Sequence, residues 1–75
     1  MRHYQNLQGQ SGVVNYAIAD DAILVEFKKG ATYLYTAALI GKENFDTMKQ
    51  LAETGKGLST FISQHIRQLF NRKFN

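Results

Sequence analysis

The chain has 75 residues, 44% of them hydrophobic and 20% charged, with a formal net charge of +3 at pH 7. This length fits one small domain, and the absence of cysteine excludes disulfides and cysteine-ligated zinc. Two histidines are too few for a metal cluster, no apolar run approaches the roughly 18 residues of a membrane span, and the polar start lacks a signal-peptide core. We therefore expect a soluble cytoplasmic protein without a cofactor or a membrane partner.

The chain begins with a polar segment that has no hydrophobic period. Residues 1–12 are rich in glutamine, so we predict a flexible N-terminal arm, with room for a short pairing segment at its end, before one domain at residues 13–75. Residues 13–18 alternate, with Val14, Tyr16 and Ile18 on one face, which predicts the first strand.

Two further strands follow, each after a short turn. Paired aspartates favour the first turn, and Gly30 can supply the positive φ that the second turn requires. Residues 23, 25 and 27 are apolar and share one face, and residues 31–35 place Tyr33 and Tyr35 on one face. These runs predict a three-stranded antiparallel meander.

Helical spacing then replaces the strand period. Phe45, Met48 and Leu51 recur every three residues, which indicates an amphipathic helix. Gly41 is a plausible N-cap, and Gly55 is a natural stop because glycine accepts the left-handed conformation beyond a helix end.

The last part of the chain predicts a second helix with Ser59 as its N-cap and a fraying end over residues 71–75. Successive residues turn by about 100°, and one apolar arc follows from this angle: Leu58, Phe61, Ile62, His65, Ile66 and Leu69. We predict that His65 is buried and structural, with ligand contact or pH sensing as the alternative. The predicted fold is α+β, a three-stranded antiparallel β-meander followed by two α-helices packed on one face.

Two blocks of the sequence resemble the KTSC domain, within about residues 13–70. The first is a strand ending in an aromatic residue, a Lys-Gly turn and Tyr-x-Tyr. The second is a large apolar pair followed by Ile-Arg. The matching residues are Leu24, Val25, Phe27, Lys29, Gly30, Tyr33, Tyr35, Phe61, Ile62, Ile66 and Arg67. Ser59 and Ser63 replace the family's usual glycine and asparagine. The KTSC domain occurs alone in small bacterial and phage proteins and at the C-terminus of some lysyl-tRNA synthetases. The resemblance therefore implies RNA, including tRNA, as a partner.

Charge is unevenly distributed along the chain. After Glu53 the sequence holds four cationic residues and no acidic one, which suggests an anionic partner. Arginine matches phosphate geometry, and a helix N-terminus favours anions. We predict a nucleic-acid-binding edge made of Lys56, Gly57, Ser63, Arg67, Arg72 and Lys73. The alternative is a solvated surface that only aids solubility.

Catalysis is not indicated by the sequence. Ser63 and His65 diverge around the predicted helix, so they do not form a nucleophile and base, and we predict no enzymatic activity. Tyr33 and Tyr35 would either cover the core or stack on bases.

Two functions remain open from the sequence. The first is a small non-enzymatic nucleic-acid-binding module, RNA in particular, and the second is a protein-interaction or homodimerisation module. The first predicts the cations on one exposed face. The second predicts a patch of exposed apolar residues such as Leu24, Leu34 and Phe74.

Overall fold

The computed structural model describes residues 1–7, 9, 11–66 and 68–74. It contains a five-stranded antiparallel sheet whose strands lie side by side in chain order, with helices packed on one face. The strands are β1 (Arg2–His3), β2 (Val13–Ile18), β3 (Ala22–Phe27), β4 (Thr32–Thr36) and β5 (Arg72–Phe74). The helices are α1 (Ala37–Ile40), α2 (Lys42–Thr54) and α3 (Leu58–Phe61), and α3 continues directly into a π-helical turn, Ile62–Ile66.

The α+β class is confirmed, whereas the predicted number of three strands is too low. β5 arises from residues that the sequence suggested were the fraying end of the second helix. Asn71 fixes this segment against β4, because its backbone N–H donates to the Leu34 carbonyl at 2.7 Å. Its side-chain oxygen also accepts bonds from the N–H and hydroxyl of Thr36, both at 2.9 Å.

The N-terminal segment is packed into the domain. Arg2 and His3 pair with Tyr16 and Asn15 of β2, and Tyr4 is only 1% exposed. The Tyr4 hydroxyl accepts a hydrogen bond from the backbone N–H of Leu58 at 3.2 Å. The prediction of a separate flexible arm over residues 1–12 therefore disagrees with the packing of Tyr4.

A bulge in β2 changes which of its residues face the helices. Val13 pairs with Phe27 and Asn15 with Glu26, so β2 has one extra residue between these pairs. A bulge of this kind reverses the alternation on one side of it. Val13, at 2% exposed, thus takes the core position that simple alternation predicted for Val14.

The hydrophobic core lies between the sheet and the helices. Its buried members come from every region of the chain: Tyr4, Val13, Tyr16, Ile23, Val25, Tyr35, Ile40, Phe45, Met48, Ala52, Leu58, Ile62 and Ile66. The limits of α2 follow the prediction, since Gly41 precedes its first residue and Gly55 follows its last with a left-handed φ of 87°.

The second predicted helix differs in both its start and its packing. α3 begins after Gly57, so Ser59 is not its N-cap. Beyond Phe61 the chain forms the π-helical turn, which holds more residues per turn than an α-helix. Residues four positions apart therefore lie on the same side of α3 and of the π-helical turn. This side faces the sheet, and its residues Leu58, Ile62 and Ile66 fill the core. His65 is exposed, so its predicted burial is wrong.

Candidate functional site

A groove of about 1190 Å³ opens between the end of the β3–β4 hairpin and the third helix with its π-helical turn. The groove lies on the helix-covered side of the sheet. We call it the hairpin groove. Its floor is made of aromatic side chains from the strands, its rim of lysines, and its helical wall of Ser59, Ile62, Ser63 and Gln68.

Tyr33 is the central aromatic residue of the floor. Its ring meets the edges of Phe70 and Phe27, with centroid distances of 4.7 and 5.5 Å, and lies nearly parallel to Tyr35 at 6.4 Å. Tyr33 is half-buried, whereas Tyr35 is 1% exposed. Tyr35 thus belongs to the core, and Tyr33 keeps part of its surface open to the groove.

Burial raises the pKa of the Tyr35 phenol to about 12, with a further contribution from repulsion by a charged Tyr33. The Tyr35 side chain is therefore neutral at physiological pH. It adds no negative charge beneath the lysines of the rim.

Three lysines form the cationic rim. Lys28 and Lys29 are exposed in the β3–β4 turn, which closes through a hydrogen bond from the Phe27 N–H to the Ala31 carbonyl at 2.9 Å. The Lys73 ammonium comes from β5 and lies 5.7 Å from the centre of the Tyr33 ring. These lysines bring positive charge to the groove from two separate segments of the chain.

The acidic residues of the hairpins lie elsewhere: Glu26 faces the opposite side of the sheet from Tyr33, and the two aspartates are at the far end of β3. None of the described residues that line the hairpin groove is aspartate or glutamate. Asp20 and Asp21 stand in the β2–β3 turn, at the opposite end of β3 from Lys28. A six-residue strand separates these turns by about 20 Å. At such a distance, about two Debye lengths at physiological salt, the aspartates screen the lysines only weakly.

The helical wall supplies hydrogen-bonding groups. Ile62 is buried beneath this wall, whereas Ser63 and Gln68 are exposed and Ser59 is half-buried. A hydroxyl can donate or accept, and an amide can do both at once. The groove thus combines cations, an accessible ring face and neutral polar groups within one concave surface.

The predicted site residues do not share one surface. Ser63, Lys73, Tyr33 and Tyr35 line the hairpin groove, while Lys56 and Gly57 are outside its lining. Arg72 points away from the groove because successive residues of a strand face opposite sides. Arg67 lies outside the described residues.

Sequence reasoning missed the most exposed part of the rim. Lys29 is predicted only as part of the Lys-Gly turn and Lys28 has no predicted role, although both stand close before Tyr33 and Tyr35 in the sequence. A cationic turn that leads into a strand with two aromatic residues on one face was the available signal. Their placement around one groove with Ser63 and Lys73 depends on tertiary structure, which hydrophobic period alone does not encode.

Other kinds of site find no support in the described part of the chain. No group of three or more His, Cys, Asp or Glu residues is placed there to hold a metal ion. None of the described helices has both the length and the apolar character needed to cross a membrane. No family model, curated protein or solved structure matches the chain.

Proposed function

We propose that this protein is a small non-enzymatic module that binds single-stranded nucleic acid, RNA in particular, in the hairpin groove. The observation that carries the proposal is the placement of Lys28, Lys29 and Lys73 around the half-buried ring of Tyr33. Lysine ammonium groups attract phosphates. A tyrosine ring face can accept an unstacked base.

Single strands fit this arrangement better than duplexes. Bases within a duplex are stacked on one another, so the partly covered ring of Tyr33 is accessible only to a base that has left its stack. Ser63 and Gln68 offer hydrogen bonds to sugar hydroxyls or base edges. The preference for RNA over DNA rests on the resemblance to the KTSC domain, which is a family-level analogy.

The groove's chemistry suits binding more than catalysis. Its polar groups are ammonium ions, hydroxyls, an amide and phenols. These groups hold a polyanion by charge and hydrogen bonds. We therefore infer a binding role in which the nucleic-acid strand is released without chemical change.

The proposal is tested by a salt titration of binding to a fluorescently labelled single-stranded RNA. Three phosphate contacts, each contributing about 0.7, give a log–log slope of about −2. The double variant Lys28→Gln/Lys29→Gln removes two contacts and should flatten this slope by about 1.4. The matched control is Lys42→Gln/Lys49→Gln, which removes the same charge from α2, outside the groove.

Specific outcomes decide this experiment. Equal losses of affinity in the two double variants would reduce the effect to net charge and reject the groove. A larger loss in Lys56→Gln than in Lys73→Gln would move the site to the edge predicted from the sequence. Absence of RNA binding at low salt would reject the nucleic-acid function altogether.

Stacking on the floor has its own test. Tyr33→Leu keeps an apolar side chain but removes the aromatic face, and it should weaken RNA binding by about 1–3 kcal/mol. Tyr33→Phe keeps that face and should bind nearly as well as the unmodified protein. Equal binding by all three proteins would show that no base stacks on Tyr33.

A second function is favoured by the opposite face of the sheet. Leu24 and Leu34 pair directly across β3 and β4 and are only half-buried, and Phe74 is 43% exposed. Apolar side chains grouped on an uncovered face indicate a protein-interaction module. Absence of RNA binding at low salt would favour this second function.

A further inference from the structure

The outer face of the sheet, on the side away from the helices, has an apolar centre. Leu24 pairs with Leu34, and Leu34 pairs in turn with Arg72 of β5. Phe74 pairs with Thr32. It stands two residues after Arg72 in β5 and therefore on the same face of the sheet. We define the outer face by Leu24, Leu34, Phe74, Arg72 and Glu26.

Opposite charges flank this centre. The Arg72 guanidinium lies 5.5 Å from the centre of the Phe74 ring. Glu26 accepts a hydrogen bond from the side-chain amide of Asn15 at 2.8 Å, which fixes its carboxylate on the same face. β5 and β3 are two strand spacings apart, so the two charges are separated by roughly 10 Å of mostly apolar surface.

We propose that the outer face binds a second copy of this chain. A two-fold axis in the plane between two such faces presents the same patch from both copies. An oblique axis through β4 places each Arg72 over Glu26 of the other copy and brings the leucines of the two copies together. One patch with a cation and an anion on either side of an apolar centre is thus complementary to itself.

The size of the face sets the strength of this association. Two strand spacings, from β3 to β5, by the length of a strand give a face of about 10 × 17 Å. This area is well below the roughly 800 Å² per partner of a standard interface. We therefore expect a weak dimer in rapid, concentration-dependent equilibrium with the monomer. The hairpin groove of each copy points outward, because it lies on the other side of the sheet.

Sedimentation equilibrium of the purified protein tests the association. The average mass should rise from 8.5 kDa towards twice that value as concentration increases. Phe74→Lys should shift this rise to at least tenfold higher concentration. Leu39→Lys is the matched control. Leu39 is 45% exposed in α1, and its replacement by lysine adds the same charge away from the outer face.

A charge exchange tests the orientation of the two copies. Arg72→Glu and Glu26→Arg should each be monomeric, because each variant places like charges opposite one another. Their equimolar mixture should associate, because both facing pairs are then of opposite sign. Circular dichroism of each variant alone confirms that it is folded before it is mixed.

Three results would overturn the proposal. A mass that stays at 8.5 kDa at every concentration removes the dimer. Equal effects of Phe74→Lys and Leu39→Lys place any dimer on another surface. A mixture of the two charge variants that stays monomeric rejects the pairing of Arg72 with Glu26. All three measurements are of mass, so they are independent of whether the hairpin groove binds RNA.

Discussion

The buried phenol of Tyr35 links the stability of the fold to alkaline pH. Its pKa is raised from 10.0 to about 12 by burial. Between these values the unfolded chain loses the proton while the folded chain keeps it, so stability is full below pH 10 and falls as the pH rises towards 12. A difference of about two pKa units corresponds to a loss of at most about 3 kcal/mol.

This loss is measurable by urea denaturation at neutral pH and at about pH 11, midway through the interval. Tyr35→Phe lacks the titrating hydroxyl and should lose less stability between the two conditions. Tyr33→Phe is the control: it removes only the smaller, electrostatic cause of the raised pKa of Tyr35 and should keep most of the alkaline loss. Equal alkaline losses for Tyr35→Phe and the unmodified protein would contradict a protonated, buried Tyr35.

Single residues also show what the sequence could specify at this scale. Alternation correctly placed Tyr33 and Tyr35 on one face, because they stand two apart on a strand. Alternation could not specify that Tyr35 is buried while Tyr33 stays half open. That difference depends on tertiary packing: Tyr35 lies in the core cluster, whereas Tyr33 is covered in part by Phe70 and Lys73 from a distant part of the chain.

At the scale of elements, the segment that was predicted as the second helix gives the clearest contrast between two leucines. Both were predicted on one apolar arc, yet Leu58 is 0% exposed and Leu69 is 46% exposed. Leu58→Ala should therefore cost about 2–5 kcal/mol of unfolding free energy. Leu69→Ala should change it by less than about 0.5 kcal/mol.

Urea denaturation of the two alanine variants measures both effects. A domain of this length has roughly 4–11 kcal/mol of stability in total, so Leu58→Ala should shift the midpoint strongly or abolish folding. Similar midpoints for the two variants would mean that the helix keeps its α-helical arc past Phe61 and that the π-helical turn is wrong.

The helices and strands differ in how clearly the sequence predicts them. The limits of α2 were predictable because Gly41 and Gly55 stand at its two ends and mark them chemically. β1 and β5 have two and three residues, which is too few for a recognisable period. Their formation depends on pairing with β2 and β4, so it follows from tertiary structure.

For the whole molecule, the sequence identifies cations in the C-terminal third but not the different surfaces on which they lie. Arg72 and Lys73 are adjacent in sequence and lie on opposite faces of β5. This separation follows once the segment is a strand, and it could not follow from a fraying helix. The same change of element brings Lys73 beside the β3–β4 turn, where Lys28 and Lys29 complete the rim.

Tyr4 joins the N-terminal segment to the start of α3, and this contact carries the last prediction. The Tyr4 side chain is 1% exposed, and its hydroxyl accepts a hydrogen bond from the N–H of Leu58, 54 residues away. Tyr4→Phe removes only the bond and should cost about 1–3 kcal/mol, because the buried N–H loses its partner. Tyr4→Ala also leaves a cavity and should cost about 3–5 kcal/mol.

Urea denaturation of the two Tyr4 variants separates a packed N-terminal segment from a flexible arm. The loss for Tyr4→Ala is a large share of the total stability of so small a domain, so this variant should be partly unfolded without denaturant. Gln5→Ala is the control, since Gln5 is exposed and adjacent in sequence. Unchanged denaturation midpoints in all three variants would support a flexible N-terminal arm and would contradict the burial of Tyr4 in the core. If the segment is part of the core, the urea midpoint of Gln5→Ala should be closest to that of the unmodified protein, and the midpoint of Tyr4→Ala should be furthest from it.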